Sequence, residues 1–300
     1  PVCLTLHDEW MLTGHCAYTI DCERWRTGCG ECPYLDHYPA VAVDNTAYNH
    51  ARKTRIYQNS RLHIAAPSRW LLDRARASSL ALSLADESHA RVIPNGVDLD
   101  VFRPRNRAEA RRELDLPADV PVLVFAANGV RRNMWKDFAT LRDAVALGAA
   151  SRKGTVFLAV GEDAPDEVVG DAVIRFVPYQ KDPARIALFY QAADLYLHAA
   201  RADTFPTTVL EALACGAPAV ATAVGGIPEQ FIDGESGRLT KPADPEDMAR
   251  ASVELLANDG RREAMGRAAA KLARQRYDRR RMIRDYLEFY EEILEQSRVA

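Results

Sequence analysis

Val122-Leu-Val-Phe-Ala126, Asn128-Gly-Val-Arg-Arg-Asn-Met-Trp-Lys136 and Phe138-Ala-Thr-Leu-Arg-Asp-Ala-Val-Ala-Leu-Gly-Ala149 follow one another as an apolar run, a polar turn and a helical stretch. The pattern repeats downstream. Apolar runs at Thr155 to Val160, Val173 to Val177, Leu195 to His198 and Ala219 to Thr222 are interleaved with helical segments at Pro183 to Ala193, Val209 to Cys215 and Pro245 to Asn258. Short apolar runs alternating with helices of this length predict a doubly wound parallel sheet, an α/β fold.

Upstream of this sheet the same logic applies more thinly. Val2 to Leu6 reads as a short buried strand with His7-Asp8-Glu9-Trp10 at its carboxyl end, the edge where open parallel sheets bind ligands. A polar, Cys-rich loop over residues 14–39 follows, longer than a connector needs. Asn45 to Gln58 reads as a helix and Leu62 to Pro67 as a strand. Ser68 caps a helix from Arg69 to Ser78, and Arg91 to Ile93 forms a last short strand. The turn residues Pro94-Asn-Gly-Val-Asp98 mark a domain boundary. We therefore expect a first domain over 1–98 and a second over 99–277. The terminal segment 278–300, an amphipathic helix from Arg280 to Glu295, is expected to pack back on the first domain. A chain that opens with Pro1 and runs straight into a strand reads as lacking its upstream part, so the first domain is expected to be incomplete.

The 300 residues, 48% hydrophobic and 27% charged, suffice for two cores. A net charge of -3 and a pI near 6.2 give no basic excess for binding a phosphate backbone, so nucleic acid is excluded as the expected partner. No stretch reaches the length of apolar sequence that a bilayer span needs, and the opening run is too short for a signal peptide. The expected location is the cytoplasm.

Three features of the second domain sit where a parallel sheet gathers its ligand site. The loop Asn128 to Lys136 places Arg131, Arg132 and Lys136 directly after a first strand, where cations neutralise a departing diphosphate. A solvated basic loop would read the same. Asp203-Thr-Phe-Pro-Thr-Thr-Val-Leu-Glu211 runs into a helix. Helix-start amides near Thr207 and Thr208 can bind phosphate, and Glu211 one turn in can accept two hydrogen bonds from a ribose diol. Thr208 and Glu211 equally fit a capping box, in which Glu211 serves only its own helix. Val224-Gly-Gly-Ile-Pro-Glu229 again follows a strand, and Gly225 with Gly226 allows backbone to approach a ligand, or simply makes a tight connection.

The order and spacing of Val92-Ile-Pro-Asn-Gly-Val-Asp98, Arg131 with Lys136, the acid-x7-Glu motif, Glu211-Ala-Leu-Ala-Cys-Gly-Ala-Pro218, Gly225-Gly-Ile-Pro-Glu229 and Asp233-Gly-Glu-Ser-Gly237 resemble family four of the retaining, GT-B-type glycosyltransferases. The opening part, with His7-Asp8-x-Trp10, Thr13-Gly14 and Cys29-Gly-Glu-Cys-Pro33, is similar to a branch found in bacterial exopolysaccharide and O-antigen synthesis of the colanic-acid type. The resemblance implies two Rossmann-like domains and transfer of a sugar from an NDP-sugar donor, UDP- or GDP-linked, to a polysaccharide or lipid-linked glycan acceptor. By position, Arg131 and Lys136 would hold the donor pyrophosphate, with Arg132 competing for the arginine's role. Glu211 would hold the ribose, and Asp203 would face the sugar or its phosphate. His7 would contact the sugar or the acceptor hydroxyl, although a strand-end histidine also caps its own loop. Gly225 and Gly226 would line the phosphate pocket with Phe205, Thr207 and Thr208, and Pro178 with Tyr179 would lie near the base. The first acid of the motif is usually Glu, and Asp203 is one methylene shorter. The resemblance further implies metal-independent transfer with retention, by front-face attack assisted by the departing phosphate. A donor-binding fragment without transfer is the alternative function, and an epimerase or phosphorylase of the same two-domain build a weaker one.

Cys16, Cys22, Cys29 and Cys32 crowd into seventeen residues beside His15, while Cys3 and Cys215 stand in apolar surroundings. Four thiolates suit a structural zinc, and free thiols or disulfides fit the spacing as well. Arg274, Arg276, Arg279, Arg280, Arg281 and Arg284 at the terminal helix suit either a solvated face or contact with the anionic inner surface of the plasma membrane.

Overall fold

The computed structural model describes residues 1–84 and 86–299. The chain divides into two compact units: Pro1–Asn95 with Ala202–Phe205 and Arg280–Ala300, and Gly96–Arg201 with Pro206–Arg279. The short segment Ala202–Phe205 thus clusters with the first unit, whereas the sequence places it inside the second domain.

In the first unit, β1 (Val2–Thr5), α1 (Thr46–Gln58), β2 (Leu62–Ala66), α2 (Arg69–Arg76) and β3 (Ala90–Val92) build a three-stranded parallel sheet in the order β1-β2-β3. Leu4 lies opposite Ile64, and Ile64 opposite Ala90. Every residue of β2 is buried, as a central strand covered on both faces requires. Ser68 caps α2 by accepting from the Leu71 amide, the role expected of it. Leu6, Leu12, Trp25, Tyr57, Ile64 and Leu71 share one core.

The second unit contains α3 (Arg107–Glu113), β4 (Val122–Ala126), α4 (Phe138–Ala149), β5 (Thr155–Val160), β6 (Glu167–Val169), β7 (Ala172–Val177), α5 (Pro183–Ala192), β8 (Leu195–His198), α6 (Thr207–Ala214), β9 (Ala219–Thr222), β10 (Gly237–Thr240), α7 (Pro245–Leu256) and α8 (Asp259–Arg276). Its seven strands run in the order β10-β9-β8-β4-β5-β7-β6, all parallel except the β6–β7 pair. From β4 the chain winds outward through β5 and β7, then returns to lay β8, β9 and β10 on the other side. The order therefore reverses between β4 and β8, and ligands of such sheets bind beyond the carboxyl ends of the strands at that point. Phe125, Leu141, Phe157, Ile174, Leu197 and Met248 form the main core.

Four elements escape the sequence reading. β6 and β10 have three and four residues, too few for period-two alternation to register. α3 presents mostly charge, and α8 carries Gly260 and Gly266 among many arginines. Gly266 is required by packing: a Cβ there would meet the Gly216 carbonyl oxygen at 2.4 Å. At the amino-terminal edge of the sheet, buried Asp194 accepts from the Val122 amide (2.9 Å) and pairs with Arg107 and Arg111 (2.6 Å each) and Arg262 (3.4 Å). That cluster fastens α3 and α8 beneath the strands whose opposite ends carry the candidate site.

The chain ends in α9 (Arg279–Val299), which buries Phe289 and Ile293 with Ala65 and Ile93 of the first unit. Among the described residues no helix is long and apolar enough to cross a membrane.

Candidate active site

The carboxyl ends of β4 and β5, the loop after β7 and the first turns of α6 converge on a cavity of about 300 Å³ within the second unit. Its walls include Ala127, Asn128, Gly161, Tyr179, Lys181 and Ile186, and Glu211 and Tyr190 also face it. The size suits a small-molecule ligand. Gly161 makes the cavity reachable from β4: it sits at φ +119°, and a Cβ would approach the Ala127 carbonyl oxygen to 1.9 Å. The Ala127 amide donates to Val160 (3.0 Å) and the Gly129 amide to Gly161 (3.1 Å), so the β4 and β5 loops leave the sheet together.

Glu211 is partly buried, and its Oε2 accepts from the Tyr190 hydroxyl at 3.1 Å. Burial pushes its carboxyl above the usual carboxylate range, against the lowering effect of that hydroxyl. The capping-box alternative fails on geometry. The N-cap of α6 is Pro206 with no side-chain cap bond, so Thr208 already lies within the first turn and Glu211 does not close its own helix. A carboxylate held by one tyrosine keeps acceptor capacity for a ligand diol.

Lys136 is joined to this pocket by a relay. Its Nζ approaches His198 Nε2 at 3.3 Å, Tyr196 Oη lies 3.0 Å from His198 Nδ1, and Tyr196 donates to Thr208 Oγ1 at 2.9 Å. The loop before Lys136 is sewn to the end of β8 by Arg201 N–H to Trp135 O (2.9 Å) and Asp137 N–H to Ala199 O (3.1 Å). The position of Lys136 is therefore fixed by backbone pairing with the end of β8.

Arg131 is aimed elsewhere. Its backbone amide and guanidinium bind Glu162 at 2.6–2.7 Å, and the guanidinium stacks over Phe176 at 4.8 Å. Burial alone would raise the Glu162 carboxyl, but the Arg131 amide and guanidinium outweigh it and hold the group low. Arg132 is exposed. Arg131 and Lys136 line a second depression of about 470 Å³ with Asn133, Asp137 and Arg201, separate from the pocket that holds Glu211. Tyr179 lines the Glu211 pocket; Pro178 does not, and its carbonyl accepts from Gln180 (2.7 Å). Gly225 turns at φ +54° after β9 and Gly226 is buried beside it. Thr207 opens α6 exposed.

His7, Asp203 and Phe205 come together in the first unit. Thr204 Oγ1 donates to the His7 carbonyl (2.7 Å), Asn95 Nδ2 donates to the Phe205 carbonyl (3.3 Å), and Tyr18 hydrogen-bonds Thr204. Asp203 is buried there, and after burial its charge is the largest influence holding the Tyr18 phenol above its ordinary range.

Sequence reading missed His198, Tyr196, Tyr190 and Lys181. His198 had a legible signal, since it ends an expected strand at the ligand edge. Tyr190 and Tyr196 looked like core residues of a helix and a strand, and only their hydroxyls reach the site.

The cysteine loop belongs to the first unit. Cys16, Cys22, Cys29 and Cys32 are free thiols lining one small cavity, and Cys16 and Cys32 hydrogen-bond to each other. Among the described residues no three His, Cys, Asp or Glu side chains form a ready metal-ligand group.

Residues 106–272 match the family of glycosyl transferases group 1. The chain is 26% identical over 292 residues to the putative colanic acid biosynthesis glycosyl transferase WcaC of Escherichia coli (strain K12), covering 96% of this chain and 68% of that protein. It is 36% identical over 209 residues to the D-inositol 3-phosphate glycosyltransferase of Actinosynnema mirum, covering 64% of this chain and 49% of that one, so it spans about half the length of such relatives. Sucrose-phosphate synthase from Thermosynechococcus elongatus superposes with a TM-score of 0.69 at 22% identity, over 85% of this chain and 65% of that chain. Anabaena HepE, solved with UDP and glucose, superposes with a TM-score of 0.64 at 19% identity, over 81% and 67%. These structures establish the α/β fold as GT-B type. With a family match over more than half its length and the parallel-sheet fold to carry it, the chain belongs to the group 1 glycosyl transferases.

Proposed function

We propose that this chain carries the donor site of a retaining, metal-independent glycosyltransferase that moves a hexose-type sugar from a nucleotide-sugar to a polysaccharide or lipid-linked glycan. The observation that carries the reading is Glu211 facing a nucleoside-sized pocket at the switch point of the sheet, with Lys136 linked to the same helix start through His198, Tyr196 and Thr208. Glu211 accepts from the ribose hydroxyls, and Tyr179 lies against the base. Lys136 and the amides opening α6 near Thr207 take up the charge that grows on the diphosphate as the glycosidic C–O bond breaks. The departing phosphate oxygen accepts the proton of the acceptor hydroxyl as the new C–O bond forms on the same face. No side-chain nucleophile is required. Of the expected pyrophosphate ligands, Lys136 is favoured over Arg131, whose guanidinium is engaged by Glu162; Arg132 stands next to it in the loop. His7 and Asp203, adjacent through Thr204, form the acceptor-side group.

Two similar proteins support the substrate class, one named for colanic acid biosynthesis and one solved with UDP and glucose. Calorimetric titration with UDP, GDP and their sugar conjugates tests it. Binding of one nucleotide, weakened at least tenfold in Lys136→Ala and Glu211→Ala, is expected; a folded wild type that binds neither nucleotide refutes the donor site. The short coverage of relatives supports a second reading, a donor-binding fragment without transfer. Nucleotide release that stays at background with acceptor present would select it.

Any metal the chain carries is assigned to the cysteine loop and not to the donor pocket. We also assign α9 a peripheral contact with anionic inner-membrane lipid. Ile283, Leu287, Tyr290 and Leu294 form an exposed apolar stripe after the arginines at its start. Equal sedimentation with anionic liposomes by the wild type and an Arg280→Ala/Arg284→Ala variant would remove that assignment.

A further inference from the structure

We propose that Cys16, Cys22, Cys29 and Cys32 bind one structural zinc ion that fastens the loop between β1 and α1. This proposal is independent of the donor-site reading, since every residue it uses lies in the first unit.

The loop has little regular secondary structure. Between β1 and α1 its only regular pieces are two single-turn 3-10 helices, Trp10–Leu12 and Arg24–Arg26, yet it buries Trp25 completely enough to join the core. The four sulfurs nevertheless arrive at one place. All of them line a cavity of about 20 Å³, room for a single water-sized sphere. The Cys16 and Cys32 thiols hydrogen-bond to each other. Four cysteine side chains lining one small cavity are the donor set of a tetrahedral structural zinc.

The backbone around the Cys-x2-Cys pair is sharply bent. Gly28, Cys29, Gly30 and Glu31 are consecutive residues at positive φ (144°, 57°, 97° and 44°). For Cys29 and Glu31, which carry side chains, such a conformation is strained. Surrounding bonds over-determine it: Arg24 donates to the Gly30 carbonyl (2.9 Å) and also to that of Glu31, the Gly30 amide donates to Thr46 Oγ1 (2.9 Å), and the Cys32 amide donates to Asp44 (2.7 Å). The Gly14 amide donates to Cys29 Sγ at 3.3 Å, a bond that strengthens when the sulfur is a thiolate. His15 turns Nε2 to the Tyr34 carbonyl (3.2 Å) and leaves the four sulfurs as the ligand set. The four sulfurs line one cavity without being arranged as a ready ligand shell. Binding draws them in to about 2.3 Å from the ion and releases the thiol protons.

The anchoring reaches the ligand edge of the first sheet. Lys53 of α1 donates to the Thr13 carbonyl (2.8 Å) and lies over the Trp10 ring at 3.5 Å, and Gly14 abuts Thr46 so closely that a Cβ would meet its carbonyl oxygen at 2.1 Å. Holding the loop therefore also holds Trp10.

The test is elemental analysis of protein purified without added metal or chelator. It is joined to thiol titration before and after chelator, cobalt substitution, and limited proteolysis. About one zinc per chain, protection of four thiols until chelator is added, and visible absorption of a tetrahedral thiolate–cobalt site are expected. Cys22→Ser and Cys32→Ser, at half-buried positions, should lose the metal and speed cleavage within residues 14–39 at least tenfold. Their nucleotide affinity should stay within twofold of wild type, which separates this outcome from failure of the donor site. Should Cys16→Ser fail to fold, the chelator arm on wild-type protein decides alone. Zinc well below one per chain with four reactive thiols overturns the proposal, as does a mass deficit showing disulfides among these cysteines.

Discussion

Each of the two sheets sends out a loop after an early strand: residues 127–137 after β4 and residues 6–45 after β1. The loop after β4 is short, polar and closed by the sheet itself, through the Lys136–Ala200 bridge and the amides donated to Trp135 and Ala199. The loop after β1 makes one backbone return to the sheet, from the Leu6 amide to Ala65, and is otherwise held by side chains. Buried Glu9 receives Arg74, the Thr19 amide (2.9 Å) and the Thr19 hydroxyl, and the four thiols gather beyond it. The comparison teaches that a loop stitched by backbone inherits the stability of its sheet and leaves its side chains available for chemistry. A loop stitched by side chains uses its polar residues to stay folded.

The largest way to break the contrast is to weaken the sheet under the first loop. Asp194→Ala leaves Arg107, Arg111 and Arg262 facing a buried space without their shared acid, and should cost about 3–5 kcal/mol. The check is the urea midpoint; a loss below about 1 kcal/mol would mean the cluster is solvated enough not to matter. Next, Lys136→Ala should lower sugar transfer about 10²–10³-fold, or roughly 2.7–4 kcal/mol, with an unchanged melting temperature. A matching fall in stability would show that the side chain, and not the backbone, holds that loop. Smaller again, Glu9→Gln weakens the charge-assisted bonds to Arg74 and should cost about 1.5–3 kcal/mol. Proteolysis should accelerate in residues 14–39, with nucleotide binding untouched.

The smallest effect concerns pH. Glu211 is held above the ordinary carboxylate range by burial, so it begins to protonate at less acidic pH than a free glutamate. Protonation converts one acceptor oxygen into a donor, and nucleotide affinity should therefore fall as pH drops through that raised value. Glu211→Gln should bind about tenfold more weakly at neutral pH, about 1.4 kcal/mol, and show a flat profile. A wild-type profile as flat as the variant's, by calorimetry between about pH 5 and pH 8, would mean Glu211 does not contact the ligand.

Much of this was readable without coordinates, and for identifiable reasons. β4, β5 and β8 are continuous apolar runs because strands covered on both faces need them, so Val122 to Ala126 could hardly be anything else. Ser68 caps α2 through a bond to its own neighbour, so local sequence suffices to find it. Once strand ends were legible, Lys136 and Glu211 fell at the ligand edge by position alone. Whether Glu211 closes a capping box was not legible, because Thr208 and Glu211 have the right spacing for one, and only the start of α6 at Thr207 excludes it.

What only the tertiary structure decided is which groups meet across long separations. Arg131 and Lys136 look alike in a line of sequence, but Glu162 claims the first and His198 receives the second. His7 and Asp203 are joined through Thr204, nearly two hundred positions apart in the chain. The division has a physical cause. Strand, helix and cap preferences act over a few residues and are written locally, whereas hydrogen bonds between side chains on different elements depend on the sheet order that brings those elements together.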